Sequence, residues 1–248
     1  MGEHEPTRGA KLRTNELTAA ETTLVDCVAK GRRCQFDKAS SAPVIRASVI
    51  RDILLGVPLL ASDPEEPRIT PMLGPGLALS GAHVEGELDL AYGASIEGGD
   101  LPPLLLEACV FTHPIVLTGA RLRGLSLHGS RLTHLKADFS KIQGTLNLTG
   151  VRTSQDGEGA TGAEGEGLCW IDLRGATIDG DLEAGAASLV VPPARPEGPR
   201  PHRDMRYALD MRGARISGTV NLRPRFKALG GLALRLAKSL TRNYPTAW

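Results

Sequence analysis

Aliphatic residues in this chain come in pairs two positions apart, and the pairs recur at steps of ten or eleven residues. Ile115/Leu117, Leu125/Leu127, Leu135/Ala137 and Leu146/Leu148 follow one another in this way, and Leu77/Leu79, Leu88/Leu90, Ile171/Leu173 and Leu209/Met211 share the spacing. A spacing of two places both side chains on one face of a strand, whereas a helix would need three and four. Between the pairs lies a short phrase of Gly-Ala, any residue, an aliphatic, any residue and Gly. It stands at Gly81–Gly86, Gly93–Gly98, Gly119–Gly124, Gly175–Gly180 and Gly213–Gly218, with looser copies at Gly129–His134 and Phe139–Gly144. Gly81, Ala82, Gly119, Ala120, Gly175, Ala176, Gly213 and Ala214 therefore mark bends, where a large side chain would collide with the next layer. Two steps make a turn of roughly twenty residues, the period of a solenoid. The pattern predicts an all-β solenoid: a parallel β-helix of about five coils, stacked at roughly the 4.8 Å inter-strand spacing around an aliphatic core.

Residues outside the repeat read differently. Residues 1–16 predict a disordered tail, and 17–60 a helical N-terminal cap. Thr18 and Glu21 form a capping box for a helix near Thr18–Lys30, which Gly31 stops. A short extended piece follows at Cys34–Asp37. Ser41 then caps a second helix with Pro43 in its first turn, and Val44, Ala47, Ile50, Ile53, Leu54 and Val57 form its apolar face. Such a cap covers the unpaired edges that a β-helix end exposes. Residues 61–75 are a Pro-rich connector, and 76–224 the β-helix. Insertions at 154–167 (acidic, Gly-rich) and 192–206 (Pro- and Arg-rich) have disorder-prone composition. Residues 225–248 predict a basic amphipathic helical cap, with Leu229, Leu232, Ala233, Leu236 and Leu240 on one side.

From Ala120 to Ile142 a small or aliphatic residue stands two before another every five positions: Ala120/Leu122, Leu125/Leu127, Ser130/Leu132, Leu135/Ala137 and Ser140/Ile142. This run resembles the pentapeptide-repeat family, and the resemblance covers roughly Gly76 to Leu222. It implies a right-handed quadrilateral β-helix. It also implies one specific function, because some members mimic duplex DNA and bind type II topoisomerases. The phrase LRGATIDGDL in addition resembles long actinobacterial repeat proteins, which points to a bacterial source.

Aromatic residues are only 4% of the chain, which suits a narrow interior filled by Leu, Ile, Val and Ala. The formal charge of +1 argues against whole-molecule attraction to nucleic acid, and aromatics interleaved with basic residues are scarce. That average hides bands: six acids and no base from Gly74 to Val110, then six bases and one acid from Phe111 to Thr153. Eight acids and one base follow to Val191, then twelve bases and three acids to Trp248. DNA mimicry needs a continuously acidic rod, and Arg121, Arg123, Arg131, Lys136 and Lys141 oppose it.

Cys27, Cys34, Cys109 and Cys169 show no metal-ligand spacing and read as small buried hydrophobes. His113 and His134 are 21 residues apart and should stack at one corner, with no third ligand in that column. No phosphate loop, nucleophile elbow or zinc-helix motif is present. No run reaches a membrane span and the N-terminus has no apolar signal region, so a cytoplasmic location is expected. The sequence assigns no catalytic, cofactor or metal residue, and the expected function is a non-catalytic protein-interaction scaffold. Arg223, Arg225, Lys227, Arg235, Lys238 and Arg242 are the candidate partner-binding residues, with oligomerisation through an end or edge of the helix as a further expectation. The alternatives are peripheral association with an anionic membrane through the C-terminal segment, and topoisomerase binding by DNA mimicry.

Overall fold

A computed structural model of the protein describes residues 17–36, 42–56, 76–93, 99–153, 171–190, 207–229 and 231–233. The repeat folds as expected, into a parallel β-helix. All strand pairings are parallel and fall into four sheets, one per face. The first face stacks Cys34–Gln35, Leu77–Ser80, Leu104–Glu107, Leu125–Ser126, Leu146–Asn147, Leu182–Glu183 and Val220–Asn221. The second stacks Val44–Arg46, His83–Glu85, Val110–Phe111, Arg131–Leu132, Arg152–Thr153, Ser188–Val190 and Lys227–Leu229. The third runs through Leu88–Asp89, Ile115–Val116, Leu135–Lys136, Ile171–Asp172, Tyr207–Asp210 and Gly231–Ala233. The fourth holds Arg121–Leu122, Lys141–Ile142, Thr177–Ile178 and Arg215–Ile216, extended by a bridge from Leu101 to Leu122. Five coils thus carry all four faces, with a partial coil at each end.

The aliphatic pairs make the core because register stacks like on like. Leu77, Leu104, Leu125, Leu146, Leu182 and Val220 form one column, and Leu88, Ile115, Leu135, Ile171 and Leu209 another. All but Val220 are buried. Each fully buried aliphatic side chain contributes about 1.5–3 kcal/mol over its exposed state. The small residues at the bends are buried too: Ala82, Cys109, Ala120, Ser130, Ala176 and Ala214 are at most 1% exposed. Where the small residue is serine, its hydroxyl is used. Ser130 Oγ donates to the Leu106 carbonyl and accepts from the Cys109 N–H.

A second device fixes the bends. Asp89, Asn147, Asp172, Asp210 and Asn221 stand between the two inward residues of a pair, and each side chain accepts the backbone N–H two residues on. That bond closes an Asx turn and starts the chain around the corner.

At the N-terminal end, α1 (Ala19–Ala29) has the expected capping box, with Thr18 and Glu21 bonded reciprocally. The second helix differs from expectation. α2 spans Ala47–Leu55, and Val44–Arg46 before it is a strand paired with His83–Glu85. The alternation explains this: Ile45 is fully buried while Val44 is 45% exposed. Pro43 precedes that strand and does not sit in a helical turn; Ser41 and Val57 lie outside the described residues. The cap is therefore an incomplete first coil, Cys34–Gln35 and Val44–Arg46, in which α2 packs over Leu88–Asp89 where a third face would be.

The C-terminal expectation is corrected in part. Lys227–Leu229 and Gly231–Ala233 are not helical; they extend the second and third faces by one more rung. Lys227, Ala228 and Leu229 pair with Ser188, Leu189 and Val190, so the coil continues past the point where the repeat phrase fades. Residues 234–248, with the rest of the expected helix, lie outside the described residues, as do the 1–16 tail, the 61–75 connector and both insertions. The ends of the insertions are placed, however. Thr153 to Ile171 and Val190 to Tyr207 both join the second face to the third, so the two insertions leave from one corner in neighbouring coils.

Candidate basic face

Of the six basic residues singled out by the sequence, Arg223, Arg225 and Lys227 are described, and all three are exposed. Arg223 and Arg225 lie in the turn from the first face to the second, and Lys227 opens the second-face strand. The Asn221 side chain accepts the Arg223 N–H at 3.0 Å and begins that turn. Arg235, Lys238 and Arg242 lie outside the described residues.

The parallel register adds residues that sequence position keeps apart. The outward column of the second face reads Val44, His83, Val110, Arg131, Arg152, Ser188, Lys227. Arg131 and Arg152 are direct partners on adjacent strands, about 4.8 Å apart along the stack. Both are exposed and neither makes an ion pair with a described residue. Like charges placed directly opposite destabilise a sheet by a few tenths of a kcal/mol or more. Ser188 separates them from Lys227, and Arg223 and Arg225 flank Lys227 at the corner. The C-terminal half of this face thus carries cations in its outward column and at its edge, with no acid in that column.

Some other cations have acidic partners. On the fourth face Arg121 and Lys141 are also direct partners, but Arg121 Nε lies 2.7 Å from Asp100 and Lys141 Nζ 3.9 Å from Asp179. Gln143 donates to the same Asp100. Asp100 belongs to the coil before Arg121, and Asp179 to the coil after Lys141. The acidic and basic bands of the sequence therefore cross-link neighbouring coils. Arg174 and Arg212 are clamped by carboxylates of their own bends, with Nε 2.9 Å from Asp172 and 3.0 Å from Asp210. Those hydrogen bonds raise both guanidinium pKa values beyond their ordinary range. None of the four outward columns is a continuous run of acids among the described residues.

The other chemical candidates do not assemble. His113 and His134 fail to align. Val110 pairs with Arg131 at an interval of 21, but Ile115 pairs with Leu135 at 20, so Ile115 N–H bonds to the His134 carbonyl and Pro114 takes the expected place of His113. Among the described residues no group of three His, Cys, Asp or Glu side chains could hold a metal. Burial pushes the Cys34 thiol up to about 12, with neighbouring Cys27 adding to it, and the Cys109 thiol up to about 11. Both stay protonated and unreactive at neutral pH. Cys169, His4 and His202 lie outside the described residues. No described helix is long and apolar enough to cross a membrane.

Arg131 and Arg152 are visible in the sequence only as members of a basic band. The signal that joins them is the 21-residue coil length applied to outward positions as well as inward ones. Set against protein-family models, curated proteins and solved structures, the chain matches none.

Proposed function

We propose that this chain is a non-catalytic protein-interaction module, a pentapeptide-repeat-like β-helix that docks an acidic protein on its second face. The observation that carries the reading is the stacked Arg131–Arg152 couple, which has no acidic partner among the described residues. Arg121 and Lys141 on the fourth face meet acids of adjacent coils, whereas this couple and Lys227 meet none among the described residues, at some cost in stability. An acidic surface laid along the face would relieve that repulsion, and its contacts would weaken with salt. The rigid stack supplies the pre-organisation, since successive coils hold the cations at fixed intervals. Topoisomerase binding by DNA mimicry is the weaker reading, because cations occupy the outward columns of two faces.

The test is photo-crosslinking in cells of the source organism, from an unnatural residue at Ser188, between Arg152 and Lys227. One predominant acidic protein should be captured, and Arg131→Glu with Arg152→Glu should reduce that capture at least tenfold. Arg123→Glu, at the end of the fourth face, should leave it unchanged. Capture of no protein, or of one indifferent to the double reversal, overturns the proposal.

A further inference from the structure

Five successive coils turn from the third face to the fourth through one residue in the left-handed region. These are Tyr92, Gly119, Phe139, Gly175 and Gly213, with φ of 52°, 64°, 55°, 64° and 73°. Backbone bonds keep them in a column. Tyr92 N–H bonds to the carbonyl of Thr118, Gly119 to that of Asp138, Phe139 to Arg174 and Gly175 to Arg212, all at 2.8–3.0 Å. Glycine is the residue this conformation favours, and any L side chain there is strained. Tyr92 and Phe139 occupy it nonetheless, and they are 77% and 70% exposed, the largest exposures among the described large hydrophobic residues. Neither backbone preference nor burial explains two aromatic rings here, and strain held at an exposed position points to function.

The rings are seated. A methyl group added to Gly119 would lie 2.6 Å from Tyr92 Cδ1 and Cε1, and one on Gly175 would lie 2.7 and 2.8 Å from Phe139 Cδ1 and Cε1. Each ring therefore rests over the bare glycine of the next coil. The two rings are two coils apart, which sets them about 9.6 Å from each other at roughly 4.8 Å per coil. Asp138 precedes Phe139, and its carboxylate reaches back toward the intervening coil, where it accepts the Thr118 hydroxyl at 2.7 Å. Arg174 enters this column through its backbone carbonyl, and its guanidinium is clamped on Asp172.

We propose that this corner is a binding track for an extended, neutral β-linked glucan. The apolar C–H face of a pyranose ring stacks on the electron-rich face of an aromatic ring. A β-linked glucan with two-fold symmetry turns the same face outward at every second sugar, which fits two aromatics set two coils apart. The intervening sugar would donate a hydroxyl to Asp138. Nucleic acid fits poorly, since Arg174 and Arg212 beside the track are both held by carboxylates and consecutive bases would need consecutive platforms. The track lies away from the second face, so it stands independently of the reading given above.

The test is isothermal titration of the full chain with cellohexaose, and with the α-linked maltohexaose as comparison. The wild-type chain should bind the first and not the second. Tyr92→Gly and Phe139→Gly should each weaken binding at least tenfold and the double variant should abolish it. Their melting temperatures should stay level or rise, because glycine relieves the left-handed strain. No binding by the wild type, equal binding of maltohexaose, or binding that survives in the double variant overturns the proposal. So does a fall in melting temperature in the glycine variants, which would assign the rings to the fold.

Discussion

Glu21 ties the cap to the first rung through one carboxylate. Thr18 N–H donates to it at 2.9 Å, Arg46 N–H at 3.0 Å, and the Arg46 guanidinium through Nε and Nη2 at 2.8 and 2.7 Å. The side chain is wholly buried. Burial pushes its pKa up, but the bonds from Arg46 and Thr18 together outweigh burial, and the net shift is below the usual 4.5. A carboxylate depressed on folding contributes stability that is complete above its unfolded value and lost as pH falls through its folded one. Glu21→Ala should therefore cost about 2 kcal/mol at pH 7, since it removes a helix cap and the charged hydrogen bonds to the partly exposed Arg46. Urea midpoints of the two proteins should converge as pH falls well below the usual 4.5, through the depressed folded value of Glu21. A difference that persists unchanged at low pH would mean the contribution is packing. The bends offer a second test at this scale. Gly119 and Gly213 hold equivalent left-handed positions, but a methyl on Gly119 meets the Tyr92 ring while one on Gly213 finds nothing closer than 3.8 Å. Gly213→Ala should cost only the conformational strain, about 1–2 kcal/mol. Gly119→Ala should cost more, and Tyr92→Gly in the same chain should cancel the excess. A thermal double-mutant cycle measures that coupling, and additivity would show that the ring does not rest on Gly119. The glycines and the capping box are legible in the sequence. Arg46 as the partner of Glu21 is not, because that contact spans 25 positions and the pair meets only when Val44–Arg46 becomes a strand.

At the scale of elements, legibility follows periodicity. Coils with unbroken spacing are readable because inward pairs recur at fixed intervals and a helix cannot use them. The second helix is overextended in the sequence reading because Val44 and Ala47 are three apart, a spacing a helix accepts, while the competing signal is a single inward Ile45. The C-terminal rung is hidden for a similar reason: Leu229, Leu232 and Ala233 fit a helical face, and pairing of Leu229 with Val190 and of Leu232 and Ala233 with Leu209 and Asp210 decides otherwise. The insertions are recognisable by composition, but their shared corner follows from topology. In the coil before the first insertion only Thr133 and His134 join the second face to the third. Deleting Ser154–Leu168 would leave Cys169 and Trp170 in the same role between Thr153 and Ile171, whose partners in that coil are Leu132 and Leu135. The shortened protein should fold with a melting temperature within about 5 °C of the parent, since loop length alters closure entropy only slowly. Failure to fold would mean that the segment carries contacts the coil depends on.

A stack of this kind is held together by neighbours alone, so its stability should vary along the axis. Coils from Leu104 to Ile178 are hydrogen-bonded on both sides, and their inward columns are buried. The last rung is bonded on one side among the described residues, and its Val220 and Leu222 are only partly buried. At the other end α1 and α2 cover the first rung, and the Glu21–Arg46 couple fastens them. An amide in the middle of the stack is reached only after the coils between it and an end have frayed, whereas one in the last rung is exposed by the first opening. Hydrogen exchange should therefore be slowest for Leu125 and Leu146, whose N–H groups bond to the Thr145 and Asp181 carbonyls of the following coils, and fastest for Val220–Leu229. Amides of the first rung should rank between them in the wild type and fall to the level of the last rung in Glu21→Ala. Uniform protection from end to end would instead show that the coils unfold as one unit, with no gradient for the cap to govern.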